Sequence, residues 1–226
     1  MDGNLKAVLA GEGGQGVQAI AEILADAANR EGKNALYIPN FGIEQRGGVS
    51  LAYVQVSNKA IGAPKFATAD LVAALSRRAV VRTRQYVDQH TLLIYDASLV
   101  APPEVEDAVV GLQSYDTLAP DAFAERTGRL EKVEKPIVPP STSRIISIPA
   151  TDIAKNELHP RVFNMIILGL IVGLTEAVEL ETVLEALDAK LNRKFEQNPE
   201  LRELNLKALE KGRSAAAEGA GSKALS

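Results

Sequence analysis

The sequence predicts an α/β fold with three layers. A largely parallel sheet carries helices on both faces, and the chain opens with a Rossmann-like βαβ unit. Three observations carry this expectation. The first is the opening run "KAVLAGEGGQGVQAIAEILADAA", residues 6–28, where an apolar stretch passes through glycines into a helical pattern. The second is a pair of apolar stretches, "ADLVAAL" (69–75) and "TLLIYD" (91–96), separated by a helical stretch over 76–88. The third is a chain of 226 residues that are 46% hydrophobic and 24% charged, enough to build one buried core.

Lys6–Ala10 reads as a buried strand and Gln15–Arg30 as a helix. Val17, Ile20, Ile23, Leu24 and Ala27 fall at the 3- and 4-residue spacings of one face. Gly32 stops that helix from the C-terminal position that favours positive φ. Asn34–Ile38 is a second short strand, parallel to the first if a crossover joins them. "VSLAYVQVS" (49–57) reads as a half-exposed strand and "RIISIPA" (144–150) as another strand, with Thr151 or Asp152 as a cap for a following short helix. Arg161–Leu174 reads as a buried helix, and Leu180–Lys190 and Pro199–Lys211 as amphipathic ones. The expected organisation is a single domain over 1–212, with a proline-rich loop insertion at 133–143 and a flexible tail over 213–226.

Composition narrows function. The net charge of -4 favours neither nucleic acid nor an acidic membrane surface. The chain has no cysteine, so it supplies no thiolate nucleophile, disulfide or cysteine-held iron–sulfur cluster. Its two histidines, His90 and His159, stand where turns are expected, and no metal constellation is evident. The longest apolar run, Val162 to Leu174, is shorter than the roughly 20 residues of a membrane span. Gly169 and Gly173 within it therefore suggest close helix packing. The first strand begins almost at the initial Met, leaving no room for a signal peptide, so a cytoplasmic location is expected.

Gly11, Gly13 and Gly16 satisfy the G-x-G-x-x-G spacing of a dinucleotide-binding turn. Such a turn lets backbone N–H groups at a helix N-terminus approach a phosphate. A nicotinamide or flavin site adds an acid at the end of the second strand, and here that strand ends "LYIPNF". Two readings stay open: the glycines permit tight strand–helix packing, or Gly11, Gly13, Gly14, Gln15 and Gly16 form an anion cradle.

The loop "PNFGIEQRGGVS", residues 39–50, sets Glu44, Gln45 and Arg46 beside Gly47 and Gly48. Arg46 offers a planar charged fork for phosphate or carboxylate, and the glycines allow close approach. An ordinary solvated turn is the alternative. In order along the chain, "GEGGQGV" (11–17), "PNFGIEQRGG" (39–48), "ADLVAAL" (69–75), "RVFNMIILGLIVGL" (161–174) and "NPELRELNLKALEKG" (198–212) carry a wider resemblance. Over about residues 5–212 the chain resembles the gamma subunit of 2-oxoacid:ferredoxin oxidoreductases, which act on pyruvate, 2-oxoglutarate, ketoisovalerate or indolepyruvate.

That resemblance implies a subunit of a complex that converts a 2-oxoacid to acyl-coenzyme A and CO2 while reducing ferredoxin. Thiamine diphosphate with Mg2+ and the iron–sulfur clusters would sit on partner subunits, and this chain alone would bind no cofactor. Its implied contribution is an interface and a share of a coenzyme A site. The amides of Gly13–Gly16, with Gln15, would face a coenzyme A phosphate, while Glu44, Gln45 and Arg46 would meet the thiamine-binding subunit. No catalytic residue is expected in this chain. The competing readings are a free-standing NAD(P)-dependent dehydrogenase and a purely structural subunit.

Overall fold

The computed structural model describes residues 4–41, 48–98 and 144–219. The sequence motif residues Glu44, Gln45, Arg46 and Gly47, the insertion 133–143 and residues 220–226 lie outside the described residues.

Among the described residues, six strands form one sheet: β1 (Leu5–Glu12), β2 (Asn34–Asn40), β3 (Val49–Ser57), β4 (Leu71–Ala74), β5 (Leu92–Asp96) and β6 (Arg144–Ile148). Their order is β2-β3-β1-β4-β5-β6. β1, β4, β5 and β6 pair in parallel, whereas β3 runs antiparallel to both β1 and β2. β1 and β2 therefore point the same way, as their crossover helix dictates, but β3 lies between them. The reason is length. Residues 41–48 are too few for the crossover of a dozen or more residues that a parallel β2–β3 pair requires. The same insertion corrects the expectation that β3 is half-exposed. As an interior strand it buries Val49, Leu51, Ala52, Val54 and Val56, and even the Gln55 amide, which donates to Ala63 O at 2.8 Å.

Helices α1 (Val17–Arg30), α3 (Ala150–Glu157), α4 (Phe163–Thr175), α5 (Leu180–Gln197) and α6 (Pro199–Gly219) cover one face. Leu9, Val54, Leu71 and Ile94 of the sheet meet Ile20, Leu24, Ile166 and Ile167 there. Helix α2 (Arg77–Thr83) and the segment before β4 cover the other face, where Val8, Val72 and Leu93 pack beneath Ala79 and Val80. Three layers result. The expected helix over 76–88 is shorter than that spacing implies. α2 ends at Thr83, a 3-10 turn spans Arg84–Tyr86, and Val87 is already extended. Ser76 caps α2 by accepting from Ala79 N at 3.2 Å.

Helix α1 ends where Gly32 (φ +72°) turns the chain, its N–H returning to Asn29 O. The cap of α3 differs from expectation. Neither Thr151 nor Asp152 occupies the capping position, which Pro149 holds without a side-chain bond. Instead Asp96, fully buried at the end of β5, accepts from Thr151 N at 3.3 Å and Thr151 Oγ1 at 2.5 Å. A carboxylate at a helix N-terminus is favoured by the helix dipole, so a strand supplies what the local sequence does not.

α4 is buried nearly all round, from Met165 to Val172. It lies parallel to α6 at very close range. A Cβ on Gly169 would overlap the Leu209 carbonyl oxygen, and one on Gly212 would overlap that of Ile166. Beside them, a Cβ on Gly173 would lie 2.7 Å from Ala216 Cβ. Glycine is required here by backbone-to-backbone packing, as the spacing of Gly169 and Gly173 implies. This contact also carries the final helix past residue 213, where a tail was expected: α6 continues to Gly219, with Ala216 buried. Among the described residues, no helix is long and apolar enough to cross a membrane.

Candidate functional site

Parallel strands β1 and β4 are neighbours, yet the helices that follow them cover opposite faces of the sheet. The crevice beyond the carboxyl ends of two such strands is where open α/β sheets bind ligands. The glycine turn 11–16 stands at this point.

The turn is held from several directions. Gly13 N donates to Gly48 O at 3.3 Å, and Gln15 N to Glu12 O at 3.1 Å. The Gln15 carboxamide accepts from Glu12 N at 2.6 Å through Oε1 and donates to Leu75 O at 2.9 Å through Nε2. Gln15 thus laces the end of β1 to the end of β4 across the crevice. Both ends of its amide are engaged by backbone, one at Glu12 in the turn and one at Leu75 beyond it.

Each glycine has its own reason to be there. A Cβ at Gly11 would lie 2.6 Å from Gln15 Oε1 and 2.9 Å from Val17 Cγ2, so that position is closed by packing. Gly16 begins α1 in the left-handed region (φ 73°) without a side-chain cap. A Cβ there would meet Asn164 Nδ2 at 2.5 Å. Gly14, also at positive φ (101°), has nothing within 4 Å of its Cβ position, and Gly13 beside it is exposed. The rim Gly13–Gly14 is therefore the open part of the turn.

The second glycine loop arrives at the same place. β3 starts where β1 ends, Glu12 opposite Val49, and Gly48 is buried beneath the turn. The structure thus joins Gly11, Gly13, Gly14, Gln15, Gly16 and Gly48 in one edge of the sheet. Phe41, at the other end of the same loop, is 68% exposed.

Several residues reach this edge that the sequence reading leaves unassigned. Asn164, in the first turn of α4, packs against Gly16. Gln18, in the first turn of α1, donates to Ser50 Oγ at 2.6 Å and Leu51 O at 2.9 Å and accepts from Tyr37 Oη at 2.6 Å. Burial pushes the Tyr37 phenol above its ordinary range. The signal for Gln18 was its place one turn beyond Gly14, on the α1 face turned to β3. Asn164 carried no local signal, since only the fold brings α4 to the turn.

Both histidines occupy turns. His90 N donates to Asp88 Oδ1 at 2.8 Å, and His159 Nδ1 accepts from Arg161 N at 3.1 Å. β2 ends at Pro39–Asn40, and among the described residues no carboxylate follows on that strand to hold a ribose. Among the described residues, no group of three or more His, Asp or Glu gathers as a metal site.

Known proteins are similar to this chain along most of its length. The indolepyruvate oxidoreductase subunit IorB of Archaeoglobus fulgidus is 29% identical over 216 residues, 95% of this chain and 96% of that one. The keto/oxoacid ferredoxin oxidoreductase gamma subunit of Geobacter sulfurreducens shares the fold with a TM-score of 0.67, at 24% identity over 94% of this chain and 98% of that one. The 2-oxoglutarate:ferredoxin oxidoreductase of Magnetococcus marinus, solved with 2-oxoglutarate, coenzyme A and succinyl-CoA bound, superposes with a TM-score of 0.71 at 22% identity. This chain is covered to 98% in that match and spans 32% of the Magnetococcus chain. The pyruvate ferredoxin/flavodoxin oxidoreductase family model matches residues 6–215, and the chain belongs to that family.

Proposed function

We propose that this chain is the gamma-type subunit of a complex that oxidatively decarboxylates a 2-oxoacid to acyl-coenzyme A and CO2, passing electrons to ferredoxin. Thiamine diphosphate with Mg2+ supplies the decarboxylation chemistry on a partner subunit, and iron–sulfur clusters there carry the electrons. A chain without cysteine has no thiolate to hold such clusters, which fits their placement elsewhere. This chain contributes the edge of its sheet. The Gly13–Gly14 rim and the uncapped first turn of α1 receive a coenzyme A phosphate. Gln15 holds the turn in shape, and Glu44, Gln45, Arg46 and Gly47 meet the thiamine-binding subunit. The protein acts in the cytoplasm.

The observation that carries this reading is the Gly13 N to Gly48 O bond, which ties the glycine turn to the end of the second glycine loop. The fit to a phosphate is partial. Gly14 leaves open space and α1 begins without a side-chain cap, whereas Gly13 N and Gln15 N already donate within the protein and Gly11 and Gly16 are crowded by it. That crowding favours a second reading, a purely structural turn. Hydrogen exchange of the assembled complex with and without coenzyme A separates the two. Protection of the amides in 11–18 and 41–48 supports the ligand role; unchanged exchange there leaves the turn structural. A free-standing NAD(P)-dependent dehydrogenase, the other alternative, requires the isolated chain to enhance NADH fluorescence on binding.

A further inference from the structure

The glycine turn stands at one end of the sheet, and a cavity of about 650 Å³ opens at the other. It lies beside Lys6, at the start of β1, about 20 Å along the strand from Glu12. The segment between β3 and β4 folds over the same sheet face as α2 and forms its cover.

Strand register sets the floor. Lys6 on β1 stands directly opposite Gln55 on β3. Lys6 O accepts from Asp70 N at 2.8 Å, and Lys6 N donates to Asp70 Oδ2 at 2.7 Å. Both backbone groups of Lys6 are thus turned to Asp70, so Lys6 and Gln55 form a non-hydrogen-bonded pair, the kind in which side chains approach more closely. Lys6 is two residues before Val8 and Gln55 two after Tyr53, and both of those pack on the α2 face. Register therefore brings Gln55, Lys6 and Asp70 side by side along one wall of the cavity.

Gln55 is the informative residue. It is only 7% exposed, and its Nε2 donates to Ala63 O, which fixes the amide against the covering segment. Its Oε1 receives no hydrogen bond among the described residues and is not sealed from solvent, so a rigid acceptor is held open toward the cavity. An acceptor left unmet at so buried a position costs stability, and a ligand's donor would recover it. Around it stand two cations, Lys6 and Lys65, that pair with no carboxylate among the described residues. Ile61 and Phe66 supply an apolar wall, and Phe66 is held edge-on against Tyr53 and Tyr86.

We propose that this cavity binds a free α-amino acid with an apolar side chain. The carboxylate meets Lys6 and Lys65, the ammonium group donates to Gln55 Oε1 and Asp70, and the side chain lies on Ile61 and Phe66. A phosphate would face the Asp70 carboxylate and a second acceptor in Gln55, whereas a simple amine would leave both lysines unmatched. A zwitterion satisfies all four groups. The inference stands apart from the roles proposed for the glycine turn and the complex.

Isothermal titration of the full-length chain tests it with three probes: L-leucine, leucinamide, which lacks the carboxylate, and isocaproate, which lacks the ammonium group. L-Leucine is expected to bind, and each analogue to bind at least about tenfold more weakly. K6M/K65M should weaken L-leucine about tenfold while leaving leucinamide unchanged. Asp70→Asn should weaken L-leucine and leave isocaproate unchanged. Circular dichroism checks that the variants fold, and the lysine variant carries the test if Asp70→Asn does not. Absence of binding by L-leucine, L-valine and L-phenylalanine overturns the proposal. So does equal L-leucine affinity in wild type and folded variants, or an analogue that binds as well as L-leucine.

Discussion

Substituting Gly169 by alanine tests the packing of the last helix most sharply, because two effects of opposite sign compete at that position. Alanine is intrinsically the better helix former, by about 1 kcal/mol. Against this, the new Cβ would overlap the Leu209 carbonyl oxygen and lie 2.8 Å from its carbon. Those atoms are backbone of α6, which no rotamer change can move aside. The helices must separate, and Leu168, Leu170 and Leu209 lose contact with one another's surroundings. Overpacking of this kind costs about 3 kcal/mol at the upper end of its usual range. The net expectation is a loss of about 2 kcal/mol, or a drop in Tm of about 4–8 °C for a chain of this length. Urea denaturation followed by circular dichroism measures it. Gly62→Ala, with nothing within 4 Å of its Cβ position, serves as the control and should change stability little. Gly173→Ala adds a second check, since its Cβ would meet Ala216 Cβ at 2.7 Å and the companion change Ala216→Gly should restore much of the loss. A Gly169→Ala protein as stable as wild type would refute the close α4–α6 contact.

Glu31 joins the end of α1 to the start of α5, accepting from Glu179 N at 2.6 Å and Thr182 Oγ1 at 2.5 Å, with Lys33 Nζ at 2.7 Å. Burial pushes its carboxyl upward, but these bonds and the Lys33 charge outweigh it and leave the group below its usual 4.5. The stability it contributes is present above the unfolded value and lost as pH falls through the lower folded one. Glu31→Gln should cost about 1 kcal/mol at pH 7 and less below pH 4, read from denaturation midpoints. Tyr86 sits edge-on to Tyr53 and Phe66, its hydroxyl 3.0 Å from that of Tyr53. Burial first, then this hydrogen bond, pushes its phenol up to about 12. Its contribution holds below about 10 and fades as pH rises toward 12, so absorbance at 295 nm should show a late tyrosine titration that Tyr86→Phe removes. Gln15→Ala leaves Glu12 N and Leu75 O without their partner at a part-buried site, a loss of about 1–3 kcal/mol, with faster amide exchange across 11–16.

Local pattern was enough for the elements whose signal is local. The α1 face of Val17, Ile20, Ile23, Leu24 and Ala27 is buried as its spacing implies, and Gly32 ends the helix at positive φ. The Gly169–Gly173 pair likewise announced a close helix contact. What the sequence concealed depends on elements far apart in the chain. β3 inserts between β2 and β1, because a pairing partner is a property of the whole sheet. Asp96 caps a helix beginning 54 residues later, as Ala150, so no local capping signal exists. Glycine spacing identified the turn but not its tenant. G-x-G-x-x-G is common to pyrophosphate-binding turns and to tightly packed ones. Only the folded chain reveals that the Gln15 carboxamide lies across the crevice and that Asn164 closes on Gly16. The missing acid at Asn40 was readable from sequence and remains the plainest mark against a dinucleotide site.

If this chain works as one subunit of a larger oxidoreductase, it should be found with its partners in the cell. Affinity purification of the tagged chain from its native cells, with mass spectrometry of the bound proteins, tests it most directly. A thiamine-diphosphate-binding subunit and a cysteine-rich iron–sulfur subunit should be recovered in fixed proportion to this chain. Recovery of the chain alone, as a homo-oligomer, would contradict it.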